Sequence, residues 1–248
     1  MDYESISSLT ESLKGIDAVA SCLASIARGL DSNLVEAASA AGVKRFIPAH
    51  YTADIQNTKS KLLPIMLPAA AIEEKLYTIA KEEGGMSYTL LFSGGFLELD
   101  LGNFFFVDVP KREATLWDGG DAIVNFTTIG TVGKAIVQVL VHSEETKNRT
   151  LYISEIATSQ NKVIEVAKKL DPTKTWKLGY ANTEVIEKQA EEAAKRGETD
   201  LMSIIGSLVR MYFGGPSYGM PFPRLDNELL GVKEFGEKEL EDVVRGAM

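Results

Sequence analysis

The sequence has a single cysteine, Cys22, and only two histidines, His50 and His142, far apart in the chain. One thiol closes no internal disulfide, and separated histidines make no cluster with ligand spacing, so neither a disulfide scaffold nor a metal centre is indicated. Basic residues are the minority, 26 against 35 acidic, for a net charge of -9. The chain therefore lacks the overall positive charge that phosphate backbones attract, and no nucleic-acid partner is expected. The longest apolar run, Leu62 to Ile72, contains Pro64 and Pro68 and falls well short of the roughly 20 residues a membrane helix requires. No membrane partner is expected either. The first residues, Met1-Asp2-Tyr3-Glu4, have neither the basic nor the apolar region of a signal peptide, which points to the cytoplasm. Internal repeats are absent, and no glycine-rich phosphate loop lies between a strand and a helix.

What is present is the composition of a globular protein: 248 residues, 45% hydrophobic and 25% charged, enough for one large core or two small ones. Ser8-Leu9-Thr10-Glu11 has the form of a capping box for a short helix ending at Gly15. Apolar runs at Ala18–Leu23, Val43–Pro48 and Ser87–Ser93 read as buried strands. Between them, helical spacing appears at Ser32–Ala41 and at Ala69–Glu83 before Gly84-Gly85. This alternation implies βαβ units and a parallel sheet, with ligands beyond the carboxyl ends of the strands, near Leu23, Ala49 and Ser93. Further on, Ala114 to Phe126 reads as a hairpin around Asp118-Gly119-Gly120-Asp121, Thr128 to Val141 as a helix, and Thr150 to Ile153 as a strand returning to the sheet. Ser159 is placed to cap a helix stopped by Asp171-Pro172, and Asn182 to Arg196 reads as a charged surface helix ending at Gly197. The Gly-, Pro- and aromatic-rich stretch Met211 to Pro223 reads as an ordered loop.

Several local patterns bear on chemistry. Gly215-Pro216-Ser217-Tyr218-Gly219 matches a nucleophile elbow in letters alone, since Pro221 and Pro223 forbid the helix it needs and both histidines precede the serine. Tyr77 and Lys81 have a Tyr-x-x-x-Lys spacing, but at 100° per residue both point away from the apolar stripe of Ile72, Leu76 and Ile79, towards solvent. Lys75 sits at the edge of that stripe, where an apolar wall can tune an ammonium for acid–base work or let it snorkel to water. His50 follows a buried strand at the expected ligand edge, whereas His142 ends a helix whose dipole it complements. The run Phe104-Phe105-Phe106 suits either core or an apolar substrate pocket.

Ordered stretches along the whole chain carry a family resemblance: Asp2-Tyr3, Ser8-Leu9, Leu13 to Val19, Ala41 to Pro48, Tyr88-Thr89 with Gly95-Phe96, Thr127 to Gly130, Glu145 to Arg149, and Asp226 to Gly231. Together they resemble the NmrA-like and isoflavone-reductase-like family of atypical short-chain dehydrogenases, most of all its fungal members in secondary metabolism. The resemblance implies an α/β fold: an incomplete Rossmann-like parallel sheet with a smaller C-terminal substrate lobe. Residues 1–102 would form the Rossmann portion and 103–248 mainly the lobe, with about 149–154 returning to the sheet, all within one NmrA-like domain. The match begins after the family's third strand, so the βαβ unit with the glycine fingerprint has no counterpart in these residues.

The resemblance also implies NADP(H) as cofactor and reduction of a small metabolite at a carbonyl or conjugated double bond. Lys75 is the nearest counterpart of the family's catalytic lysine. Pro48, Gly94, Gly95 and Phe96 would face the nicotinamide, and His50, Tyr51 and Phe104 would shape the substrate pocket. The alternative that the family offers is a non-catalytic, dinucleotide-sensing regulatory protein or an inactive homologue. An uncovered sheet edge would also permit self-association.

Overall fold

The computed structural model describes residues 2–23, 29–56, 58–102, 105–196 and 201–248. The first part alternates as the spacing of apolar residues requires: α1 (Ile6–Leu13), β1 (Ala18–Ala20), α2 (Asp31–Ala40), β2 (Arg45–Ile47), the short α3 (Thr58–Lys61), α4 (Leu67–Ile79) and β3 (Ser87–Phe92). The chain then leaves through β4 (Gly95–Phe96), α5 (Leu97–Asp100), β5 (Glu113–Trp117), β6 (Val124–Thr127) and α6 (Ile129–Val141), and comes back as β7 (Arg149–Tyr152). Next come β8 (Ile156–Thr158), α7 (Gln160–Leu170), β9 (Lys177–Ala181), α8 (Thr183–Lys195), α9 (Leu201–Phe213), α10 (Asn227–Leu230) and α11 (Glu237–Ala247).

The main sheet has the order β1-β2-β3-β7, all parallel. Parallel neighbours need crossovers, and the helices α2 and α4 supply two of them. Because strand side chains alternate between faces, Phe46, Leu90 and Phe92 point into a core built with α1, α2 and α4, while Ile47, Leu91 and Leu151 point to a second core under α6. A three-stranded sheet, β4-β6-β8, and a parallel pair, β5 with β9, belong to the second part of the chain. The two parts share one core. Phe92 of β3 stacks on Tyr152 of β7 at 5.7 Å, and Phe106 packs on both Phe126 and Phe213 at 4.6 and 6.1 Å.

Several expectations are corrected. The first helix starts three residues earlier than the Ser8 capping box: Ser5 is its cap, accepting from the Ser8 N–H, which already lies inside the helix. Ala114 to Phe126 is not a hairpin. Asp118, Gly119 and Gly120 do make a tight turn with φ of 47°, 92° and 85°, but β5 pairs with the distant β9 and β6 with β4 and β8. Turn chemistry is local, whereas strand pairing is decided by which distant partner buries the strand, and the sequence pattern reports only the former. Met211 to Pro223 begins inside α9 rather than as a loop. Tyr77 is half-buried against Tyr88, with ring centroids 5.1 Å apart, while Lys81 is exposed. Ser159 caps α7 by accepting from the Lys162 N–H at 3.2 Å.

Candidate active site

In a parallel sheet every strand ends on the same edge, and the loops that leave this edge converge. Here the edge gathers Ser21 and Cys22 after β1, Pro48 to Tyr51 after β2, Ser93 to Phe96 after β3 and Ile153 to Glu155 after β7. Ser21 donates to the Asp31 carboxylate at 2.5 Å, tying the end of β1 to the start of α2. The Gly94 N–H donates to the Thr52 carbonyl, which joins the β2 and β3 loops. Tyr51 brings its hydroxyl into a buried position beside Cys22 and Asp31, without a hydrogen bond of ordinary geometry, and burial pushes this phenol well above its usual range.

Behind the loops lies a buried set of acids, phenols and an imidazole. His50 is 1% exposed, with Nε2 3.3 Å from the Ala69 carbonyl and 3.6 Å from Glu73 Oε1. Glu73, also 1% exposed, accepts from the Tyr77 hydroxyl at 3.4 Å, and Tyr77 in turn accepts from Gln56 Nε2 at 2.6 Å. Burial pushes the Glu73 carboxyl up to about 7, with Lys61 opposing the shift and Asp54 adding to it. Asp54 is raised by burial as well, and accepts from the Tyr152 hydroxyl at 3.1 Å and from the Gln56 N–H at 2.8 Å. A carboxyl group that holds its proton near neutral pH can donate it, which an ordinary surface carboxylate cannot do.

Lys75 lies partly buried at the edge of the buried face of α4. The buried face of α4 is Ala69, Ala70, Ile72, Glu73 and Leu76, so Lys75 turns towards α2. Its ammonium donates to Ser32 Oγ at 2.9 Å and to Glu36 at 3.2 Å, and its side chain is 33% exposed. Exposed pairs of this kind contribute about 0–1 kcal/mol. Lys75→Ala is therefore expected to shift stability by less than about 1 kcal/mol in thermal or urea unfolding; a larger loss would mean that the lysine is part of the framework.

Gly94 and Gly95 are buried, and a Cβ at either would overlap this chain itself: the Asn125 carbonyl for Gly94, the Asp100 carboxylate and the Phe126 ring for Gly95. Close packing against β6 is thus reason enough for both glycines. Pro48 is buried behind the edge and Phe96 is half-buried in the core under α6. Phe104 lies outside the described residues, as does Gly197. Ser217 is exposed in a short 3-10 turn after α9, with no strand before it.

A cleft of about 840 Å³ opens at the opposite edge, the amino ends of the strands, between Asp17, Lys44, Glu82, Ser87 and Glu144. Its buried cation, Arg45, is fully engaged with its own chain. Sequence reasoning missed Glu73, Asp54 and Tyr152. For Glu73 a signal existed, an acidic residue beside Ile72 and three before Leu76 on the sheet-facing helix. Asp54 and Tyr152 come together only through the long return of the chain.

The NmrA-like family matches residues 1–195, most of the chain and all of the main sheet. The chain belongs to the NmrA-like family. Among curated relatives of this NmrA-like chain, oxidoreductase aprR of Aspergillus flavus is 34% identical over 197 residues, 79% of this chain and 66% of that protein. Oxidoreductase poxI of Penicillium oxalicum is 25% identical over 245 residues, 95% of this chain and 76% of the relative. This chain thus spans just under two thirds of the Aspergillus protein's length. Among solved structures, AtPrR2 with NADP+ and (+)pinoresinol superposes with a TM-score of 0.75 at 16% identity, covering 100% of this chain and 80% of the other. The fold is that of the Rossmann-like reductases, and the relatives named here are oxidoreductases. No helix among the described residues is long and apolar enough to cross a membrane.

Proposed function

We propose that this NmrA-like protein is an NAD(P)H-dependent oxidoreductase that reduces a small secondary metabolite, at a carbonyl or conjugated double bond, in a fungal biosynthetic pathway such as polyketide synthesis. The observation that carries this reading is the family match running through β1, β2, β3 and β7, with His50 and Tyr51 after β2 and Glu73 of α4 3.6 Å from His50. The fungal relatives aprR and poxI, both named oxidoreductases, support it.

The residues present fit one half of a dinucleotide. The buried Tyr51 hydroxyl, lacking an ordinary hydrogen bond beside Cys22 and Asp31, is a polar group placed to meet a carboxamide. By contrast, no glycine-rich turn runs from a strand into a helix among the described residues, so these residues offer no cradle for the pyrophosphate. In this reading Pro48 and the turn Gly94–Phe96 wall the nicotinamide, and Tyr51 orients it. The cofactor, when bound, supplies the hydride. His50 and Tyr51 shape the pocket for the substrate, and Lys75 supplies or relays a proton from its post beside Ser32.

Titration of the 248-residue protein with NADPH, with NADH as the control, tests the reading through protein fluorescence and melting temperature. At a hundredfold excess over Kd, binding adds about 2.7 kcal/mol, a rise in Tm of roughly 5–10 °C for a chain of this size. A folded protein that shows neither saturation nor a rise in Tm sinks the proposal for these 248 residues.

A further inference from the structure

We infer that His50 and Glu73 form a buried proton store, connected to solvent through Tyr77, that serves the carboxyl edge of the sheet. Exposure falls along the path: Gln56 is exposed, Tyr77 half-buried, and Glu73 and His50 are each 1% exposed. Two hydrogen bonds lead inward, from Gln56 Nε2 to the Tyr77 oxygen at 2.6 Å and from the Tyr77 hydroxyl to Glu73 Oε2 at 3.4 Å, and beyond them Glu73 Oε1 lies 3.6 Å from His50 Nε2, within ion-pair reach but longer than a hydrogen bond. The half-buried Tyr77 hydroxyl can pass its proton to Glu73 and take one from solvent at its oxygen, while the Gln56 amide holds that oxygen in place and carries no proton itself.

Two arrangements of one proton are available to the pair. In the first, Glu73 is a carboxylic acid whose Oε1 faces Nε2 of a neutral imidazole at 3.6 Å, with the ring proton on Nδ1. In the second, the proton has crossed to Nε2, leaving a carboxylate beside an imidazolium whose Nε2–H is shared between Glu73 and the Ala69 carbonyl. The sum of charges is zero in both, so neither requires burial of a net charge. Loss of one proton from the pair leaves a neutral imidazole and a carboxylate, and a proton returning through Tyr77 restores the acid. The groups that face Glu73 from each packed element set the balance. Lys61 of α3 and the Tyr77 hydroxyl, which donates to Glu73, favour the carboxylate, while Asp54 of the β2 loop and Glu74 of α4 favour the acid. Tyr88 of β3 faces it too, its phenol raised by burial and by Glu73. The use of the proton in a reduction rests on the oxidoreductase reading above; the store itself does not.

Infrared spectra of the 248-residue protein carrying 13C-labelled glutamate test the store directly. The expected result is a neutral-carboxyl band at about pH 6 that titrates away near 7, the range to which burial raises this group, and that is missing from Glu73→Gln. In D2O this band exchanges promptly in the parent and severalfold more slowly in Tyr77→Phe, which keeps the ring and removes the hydroxyl link. In His50→Gln the band titrates at higher pH, because the imidazole that shares the proton is gone.

Stability gives a second readout. The raised carboxyl lends stability that is complete below the ordinary carboxyl range and lost as pH rises through about 7. Glu73→Gln should therefore melt with the parent at about pH 5 and above it at about pH 8. If Glu73→Gln does not fold, the labelled parent, Tyr77→Phe and His50→Gln still decide. A band that is absent in the parent, or exchange unchanged by Tyr77→Phe, or a midpoint unchanged by His50→Gln, overturns the inference. Failure of NADPH to bind overturns the reductase reading and leaves these spectra as they are.

Discussion

Arg45→Ala is expected to lower the unfolding free energy by about 3–5 kcal/mol, through a buried cavity and several orphaned acceptors. Arg45 opens β2 and is 7% exposed, so the protein has taken a guanidinium out of water and must satisfy it internally. It does so on four sides: Nε donates to Ser87 Oγ at 2.8 Å, Nη1 to Thr89 and Thr146 Oγ1 at 3.0 and 3.1 Å, and Nη2 to the Ser143 carbonyl at 2.6 Å. The three hydroxyls spend their own protons elsewhere, on the carbonyls of Lys44, Thr146 and Val139, so their lone pairs depend on the arginine. Removing it loosens β2, β3 and the turn before β7 together. Arg45→Lys should recover only part of the loss, because a point ammonium cannot reach all four acceptors. Urea unfolding with an unchanged m value checks this; a loss below about 1 kcal/mol would mean that water replaces the side chain without cost.

Gly94→Ala is the second large effect, at about 2–5 kcal/mol from a strained left-handed residue and an overpacked contact. Gly94 has φ of +70°, and its added Cβ would overlap the Asn125 carbonyl. Asn125 cannot simply retreat, since its side chain accepts from the Phe222 N–H at 2.7 Å. Gly119→Ala is the internal control: φ is +92°, yet nothing lies within 4 Å of the added carbon. That variant should show the backbone strain alone, about 1–2 kcal/mol. Equal losses in the two variants would rule out the contact with Asn125 as a cause.

The parallel sheet was legible because its signal is local. Each strand is a short apolar run, and each crossover helix repeats its apolar residues at helical spacing, so β1 to β3 and the helices between them are written within a few dozen residues. β7 was legible for the same reason. The second part of the chain was not: β5 finds β9 and β6 finds β4 and β8, pairings set by which buried surfaces meet and by nothing in the turns. At the site, His50 and Tyr51 could be placed at an edge from the strand before them. Their partners could not, because the polarity of Glu73 interrupts an apolar stripe and Asp54 meets Tyr152 across the whole return of the chain. Lys75 could be placed at the edge of its helix's apolar stripe, but its partners Ser32 and Glu36 on α2 could not be read from the spacing.

The shared core has an evolutionary consequence. Phe92 and Tyr152 stack within the main sheet, Phe106 touches both Phe126 and Phe213, and the turn at Gly94 and Gly95 fits against β6 with no room for a methyl group. The C-terminal part is therefore not a cassette that could be exchanged for another to change what the protein recognises. Substitutions that alter this shared interior act on both parts of the chain at once, whereas those on exposed loops leave it intact.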